Sequence, residues 1–196
     1  MTNNRIAGIV MAGGYSRRFG SNKAIAEYKG RPFYEYSIEA LKGITEITIL
    51  VTNKDLYPFY KKETDLQVVM DEEEYRGCGP LAGLYTAMRA YKSEWYLITP
   101  VDVPMMTSLI LKKLLRYTTG EHQAVIPIIN GKKQPLIGLY HYSILEKIHQ
   151  LLKNNDLKMH FLLSDISALY IEKEFFGEEA SFHNINTRQD YEHYLV

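Results

Sequence analysis

Three observations predict a doubly wound α/β fold, with a mostly parallel sheet flanked by helices. Short apolar runs alternate with longer segments of helical spacing, several of those runs end directly on a polar side chain, and the first runs into a loop rich in glycine and cations. Such alternation marks βαβ units, because consecutive parallel strands need a crossover long enough to hold a helix. With 196 residues, 46% hydrophobic and 23% charged, the chain 1–196 is expected to be one domain that buries a sizeable core without disulfides or structural metal.

Taken in order, Ile6-Ala7-Gly8-Ile9-Val10 reads as a buried strand. After the punctuation Gly30-Arg31-Pro32, the spacing of Phe33, Tyr36, Ile38 and Leu41 predicts a helix over 33–41 that ends near Gly43. The β-branched run 46–52 is a second strand and delivers Asn53 at its end; past a short segment holding Pro58, the run 66–70 is a third and delivers Asp71. Residues 79–91 have proline in the first turn and Leu81, Leu84, Tyr85 and Met88 on one face, a helix. A strand over 95–101 points at Asp102, and 109–117 is an amphipathic helix.

The runs 124–129 and 135–142 are expected to be strands joined by the turn dipeptide Asn130-Gly131, the one antiparallel excursion. Residues 143–152 are helical, Asp156 is a cap for a helix over 157–163, and 169–173 is a short strand. The tail 187–195 is a helix opened by Thr187 and Asp190 in capping-box spacing.

The loop Met11-Ala12-Gly13-Gly14-Tyr15-Ser16-Arg17-Arg18-Phe19-Gly20-Ser21-Asn22-Lys23 follows the first strand directly. Adjacent glycines leave no Cβ in the way of converging N–H groups, and Arg17, Arg18 and Lys23 add formal positive charge, so the loop suits a chain of phosphates. It is not a Walker loop, since Ser21 and Asn22 separate Gly20 from the lysine; nor is it G-x-G-x-x-G, since Gly13 and Gly14 are adjacent. An ordinary glycine turn with a solvated basic flank is the alternative.

In an open parallel sheet the ligand sits outside the carboxyl ends of the strands, where strand order reverses. The glycine loop, Asn53, Asp71 and Asp102 all fall at such ends. Asp102 emerges from an apolar strand between Pro100 and Pro104, and magnesium is commonly held by one or two carboxylates together with substrate phosphates. Asp102 is therefore the candidate Mg2+ ligand, against the alternatives of a loop salt bridge or a cap for the helix that begins near Thr107.

With Lys23 closing it, the loop resembles the signature of molybdenum cofactor guanylyltransferases, the MobA-like nucleotidyltransferases, departing from it at Phe19 and Asn22. Three further segments are similar to the family's motifs: Gly79-Pro80-Leu81-Ala82-Gly83, Pro100-Val101-Asp102-Val103-Pro104 and Asn184-Ile185-Asn186-Thr187. Their order and spacing extend the resemblance over most of the chain. It implies a Rossmann-like nucleotidyltransferase fold that transfers GMP from GTP to molybdopterin, giving molybdopterin guanine dinucleotide and pyrophosphate. By residue, it implies nucleotide binding by Met11, Ala12, Gly13, Lys23, Asn53, Asp71 and Asp102, with Asp102 also holding Mg2+. It further implies catalytic roles for Arg18, Lys23 and Asp102, and pterin contacts from Asn184 and Asn186. The family's place in cofactor biosynthesis also implies transient contacts with other proteins of that process.

A CTP-dependent or sugar-phosphate nucleotidyltransferase of the same fold, and a nucleotide-binding regulator without catalysis, are the rival readings; the regulator would gain nothing from a magnesium carboxylate. With 23 basic and 23 acidic residues the net charge is zero, so no global field draws the chain to nucleic acid or an anionic membrane. One cysteine, Cys78, excludes an internal disulfide and suits a reducing cytoplasm. Arg5 precedes only a short apolar run, too short for a signal-peptide core, and no run approaches membrane-spanning length.

Overall fold

The structure is a computed structural model and describes residues 5–13, 26–63, 66–119, 121–177 and 179–195. Its strands are β1 (Ile6–Met11), β2 (Glu27–Tyr28), β3 (Arg31–Pro32), β4 (Ile47–Thr52), β5 (Gln67–Met70), β6 (Trp95–Pro100), β7 (Ala124–Ile129), β8 (Lys132–Lys133), β9 (Gly138–His141) and β10 (Ala168–Glu172). The helices are α1 (Phe33–Leu41), α2 (Tyr57–Glu63), α3 (Pro80–Ala90), α4 (Ser108–Leu114), α5 (Leu145–Lys153), α6 (Met159–Asp165) and α7 (Arg188–Leu195).

The main sheet runs β10-β7-β9-β6-β1-β4-β5, with β8 paired to β7. Strands β5, β4, β1 and β6 are mutually parallel, β10 is parallel to β7, and β9 lies antiparallel between β6 and β7. From β1 the chain builds outward to β4 and β5, then returns to lay β6 on the other side of β1. The reversal of strand order therefore falls between β1 and β6, where the glycine loop and Asp102 leave the sheet.

Because both faces are covered, the central strands are mostly apolar: Ala7, Ile9, Val10, Ile49, Leu50, Leu97 and Ile98 are fully buried, with Thr52 and Thr99 the buried polar residues among them. Alternation along each strand divides them between two cores. Val10, Leu50 and Leu97 pack with Leu41 of α1, Tyr60 of α2 and Leu111 of α4; Ile9, Ile49 and Ile98 pack with Leu84 of α3, Ile148 of α5 and Leu162 of α6. Each such branched side chain contributes roughly 1.5–3 kcal/mol when fully buried.

Several local expectations need correction. Asn130 and Gly131, at φ 51° and 70°, form the expected primed turn, but it joins β7 to the two-residue β8; β9 begins only at Gly138, after Pro135 and a turn. Asp156 is not a cap. Its N–H bonds the Leu151 carbonyl at 2.9 Å while Asn155, at φ 60°, donates to Leu152 at 3.1 Å, so the pair closes α5 in a Schellman motif. Lys158 stands before α6 with no side-chain cap.

Two elements went unforeseen. Helix α2 carries Pro58 in its first turn, where a missing N–H costs nothing, so this proline was no breaker. The small β2–β3 hairpin turns on Lys29 and Gly30. At the tail, the capping box forms as expected: Thr187 Oγ1 accepts from the Asp190 N–H at 3.0 Å, and Asp190 Oδ2 accepts from the Thr187 N–H at 2.8 Å. Among the described residues no helix is long and apolar enough to cross a membrane.

Candidate active site

Strand register brings four of the expected site residues onto one rung. Met11 stands opposite Val51 of β4 and Pro100 of β6, and Thr52 opposite Met70 of β5. Continued one or two residues past the last pairs, these registers align Asp71, Asn53, Gly13 and Asp102 across neighbouring strands. At about 4.8 Å per strand, Asp71 and Asp102 are about 14 Å apart, a span suited to an extended nucleoside triphosphate.

Hydrogen bonding holds the ladder firm up to that rung. The Ala12 N–H donates to Val51 O at 2.8 Å and the Val101 N–H to Met11 O at 3.2 Å. Ala12 is buried, and Met11 packs under α3 at Gly83, where an added Cβ would come within 3.3 Å of the Met11 thioether and Val51. Gly83 thus lets α3 lie close against the sheet beneath the site. At Gly13 an added Cβ would stand in ordinary contact with the Thr52–Asn53 backbone among the described residues, no closer than 3.6 Å.

Asn53 spends most of its amide on the protein. Nδ2 donates to the Gly13 carbonyl at 3.1 Å, and Oδ1 accepts from the N–H groups of Asp55 and Leu56, both at 3.1 Å. It anchors the start of the glycine loop and shapes the turn into α2. The loop's cations Arg17, Arg18 and Lys23 lie outside the described residues, as do Phe19 and Asn22; Gly13 and Ala26 bracket them.

Asp71 begins a segment pinned to α3: the Glu72 N–H donates to Thr86 Oγ1 at 3.2 Å, and Tyr75 packs edge-on against Tyr85 at 5.6 Å. The segment ends at Gly79, the N-cap of α3, with φ 75° and ψ −160° and no capping side chain. That helix start lies at the same sheet edge, because α3 follows the carboxyl end of β5. Burial pushes the Asp71 carboxyl up to about 6.

A native pKa above the unfolded value of 3.8 contributes stability that is present in full below that value and lost as pH rises through 6. Asp71→Asn is therefore expected to flatten the fall in melting temperature between about pH 4 and 7, measured by thermal scans across that range.

Asp102 is half-buried, and its cap alternative is excluded: Thr107 is the N-cap of α4, its side chain accepting from the Ile110 N–H at 3.4 Å. The Asp102 carbonyl accepts the Ile185 N–H at 2.8 Å. That bond brings the remote segment Asn184-Ile185-Asn186 to the end of β6, with Ile185 fully buried and both asparagines exposed. The anchoring role of Ile185 was missed from sequence; its signal was a lone branched apolar residue between two polar ones.

Among the described residues no group of three or more His, Cys, Asp or Glu side chains could cage a metal. A half-buried carboxylate at the end of β6 is the kind of oxygen ligand that magnesium takes when water and phosphate oxygens complete its shell.

A sheet that reverses at β1 and β6, with the chain after β1 and a carboxylate leaving it at that reversal, is the architecture of a nucleotide-binding α/β protein. The profile of the MobA-like NTP transferase domain matches residues 8–168; the chain belongs to that family and is a nucleotidyltransferase. It is 38% identical over 190 residues to a "probable molybdenum cofactor guanylyltransferase" of Geobacillus sp. (strain WCH70), covering 96% of this chain and 97% of that one. A protein of the same description from Halalkalibacterium halodurans is 40% identical over 186 residues, covering 93% and 94%. The crystal structure of molybdopterin-guanine dinucleotide biosynthesis protein A from Archaeoglobus fulgidus superposes with a TM-score of 0.84 at 22% identity, covering 96% of each chain, which shows the shared fold.

Proposed function

We propose that this chain transfers GMP from GTP to molybdopterin, forming molybdopterin guanine dinucleotide and releasing pyrophosphate. The observation that carries the substrate choice is the near-full-length kinship to guanylyltransferases; the one-rung alignment of Asp71, Asn53, Gly13 and Asp102 supplies the geometry. An oxygen of the pterin's terminal phosphate attacks the α-phosphorus in line, and the bond to the bridging oxygen breaks with its electron pair leaving on pyrophosphate.

This chemistry asks the protein for positioning and charge more than for a nucleophile. Gly13 leaves room for close backbone approach, with Met11 and Ala12 fixing the strand end behind it. Arg18 and Lys23 offset charge on the departing pyrophosphate. Asp71, at the far end of the rung beside the open start of α3, accepts hydrogen bonds from the guanine and ribose side. Asn184 and Asn186, held against the Asp102 loop, receive the pterin. Asp102 holds Mg2+, which when bound neutralises phosphate charge.

A cytoplasmic setting suits the free thiol of Cys78. In it, transient contacts with other cofactor-biosynthesis proteins would deliver the acceptor and collect the product.

The test is a panel of GTP, CTP, ATP and UTP with magnesium, read for binding and for transfer to molybdopterin. GTP is expected to be preferred; a preference for CTP overturns the guanylyl assignment and spares the fold. Because an ionised Asp71 is the better acceptor, GTP affinity should rise from pH 5 to 7 as its carboxyl titrates near 6, and Asp71→Asn should abolish that rise.

A further inference from the structure

Beside the two main cores lies a small apolar cluster whose members come from separate parts of the site. Phe33, the first residue of α1, and Ile185 are both fully buried in it, and Ala26, Tyr28, Met105 and Tyr191 pack around them. Ala26 is the first described residue after the glycine loop, and its carbonyl accepts the Phe33 N–H at 2.9 Å. Met105 lies three residues past Asp102, Ile185 stands between the two site asparagines, and Tyr191 belongs to α7.

Rings of Phe33 and Tyr191 stack with centroids 6.3 Å apart and planes 12° apart. The same Asp190 carboxylate that closes the capping box also accepts the Asn186 N–H at 2.8 Å. Helix α7 therefore holds the Asn186 and Thr187 N–H groups through Asp190, while its Tyr191 joins the cluster around Ile185 and the Ile185–Asp102 bond fixes the backbone between the asparagines.

An eight-residue helix is not stable alone, so α7 persists through this docking. We propose that α7 is a latch for the acceptor site, with Tyr191 and Ile185 as positioning residues. Docked, it presents Asn184 and Asn186 beside the Asp102 loop and ties them to the exit of the glycine loop; undocked, it leaves the nucleotide rung intact but the acceptor unplaced. The proposal rests on molybdopterin being the acceptor only for its kinetic arm.

Two measurements on Tyr191→Ala and Tyr191→Phe test it. The side chain lies at the rim of the cluster, so neither change removes a main-core residue, and phenylalanine keeps the stacked ring. Hydrogen exchange of the peptide over 182–190 needs no acceptor: Tyr191→Ala should raise exchange there, including at the Ile185 amide, while peptides over 5–13 and 66–71 stay as in wild type. In turnover, Tyr191→Ala should raise the KM for molybdopterin about tenfold, leave the KM for GTP within about twofold, and be restored by Tyr191→Phe. Unchanged exchange over 182–190 overturns the latch, as does a parallel rise in both KM values. A wild-type chain that shows the exchange pattern yet transfers nothing to molybdopterin overturns the acceptor assignment and leaves the docking of α7 standing.

Discussion

Replacing Asp102 by asparagine is expected to lower GMP transfer by about two to three orders of magnitude while leaving the melting temperature nearly unchanged. Asparagine keeps the shape of the side chain and a carbonyl oxygen but withdraws the formal charge that attracts a divalent cation. Stability should hold, because asparagine keeps the size of the side chain, the backbone carbonyl still accepts the Ile185 N–H, and the cap of α4 belongs to Thr107. GTP should still bind through the glycine loop and the Asp71 segment, so the loss appears in kcat more than in KM. Turnover, nucleotide binding and thermal stability of the variant measured together decide it; near-normal turnover would remove Asp102 from the chemistry.

The contrast between Asp102 and Ile185 shows where sequence reasoning reaches. A carboxylate at the end of an apolar strand is visible locally, because period and polarity change within a few residues, and the same holds for Asn53 and Asp71. Which strands adjoin is a long-range matter. The alternation of elements predicts the class of sheet, but the placing of β6 against β1, which turns four strand ends into one rung, is set by packing across the whole chain.

Local signals also misled where two of them competed. Asp156 carries the chemistry of an N-cap, yet the left-handed Asn155 before it closes α5 first, and α6 begins only at Met159, with Lys158 at its N-cap position. The short segment holding Pro58 shows no helical signal, yet the proline sits in a first turn prepared by Asn53, whose amide serves both that turn and the Gly13 carbonyl. A single asparagine with two structural duties looks from sequence like a ligand contact alone.

Gly79→Ala is expected to weaken GTP binding about tenfold and to lower the melting temperature by roughly 3–10 °C, from a backbone penalty of about 1–3 kcal/mol. At φ 75° and ψ −160° the residue occupies a region open essentially to glycine alone, although an added Cβ would meet nothing within 4 Å. The cost is therefore conformational, and it can be relieved only by turning the chain where the Asp71 segment joins α3. That turn would shift the first N–H groups of α3 and the segment that begins at Asp71, both at the carboxyl edge of the sheet beside β5. Gly43, at φ 72° just beyond α1, lies at the opposite edge of the sheet and serves as the control: Gly43→Ala should lower the melting temperature and leave GTP affinity unchanged. Isothermal binding and thermal scans on the two variants separate the effects. If Gly79→Ala loses stability but binds GTP as wild type, the nucleotide does not rest on this segment.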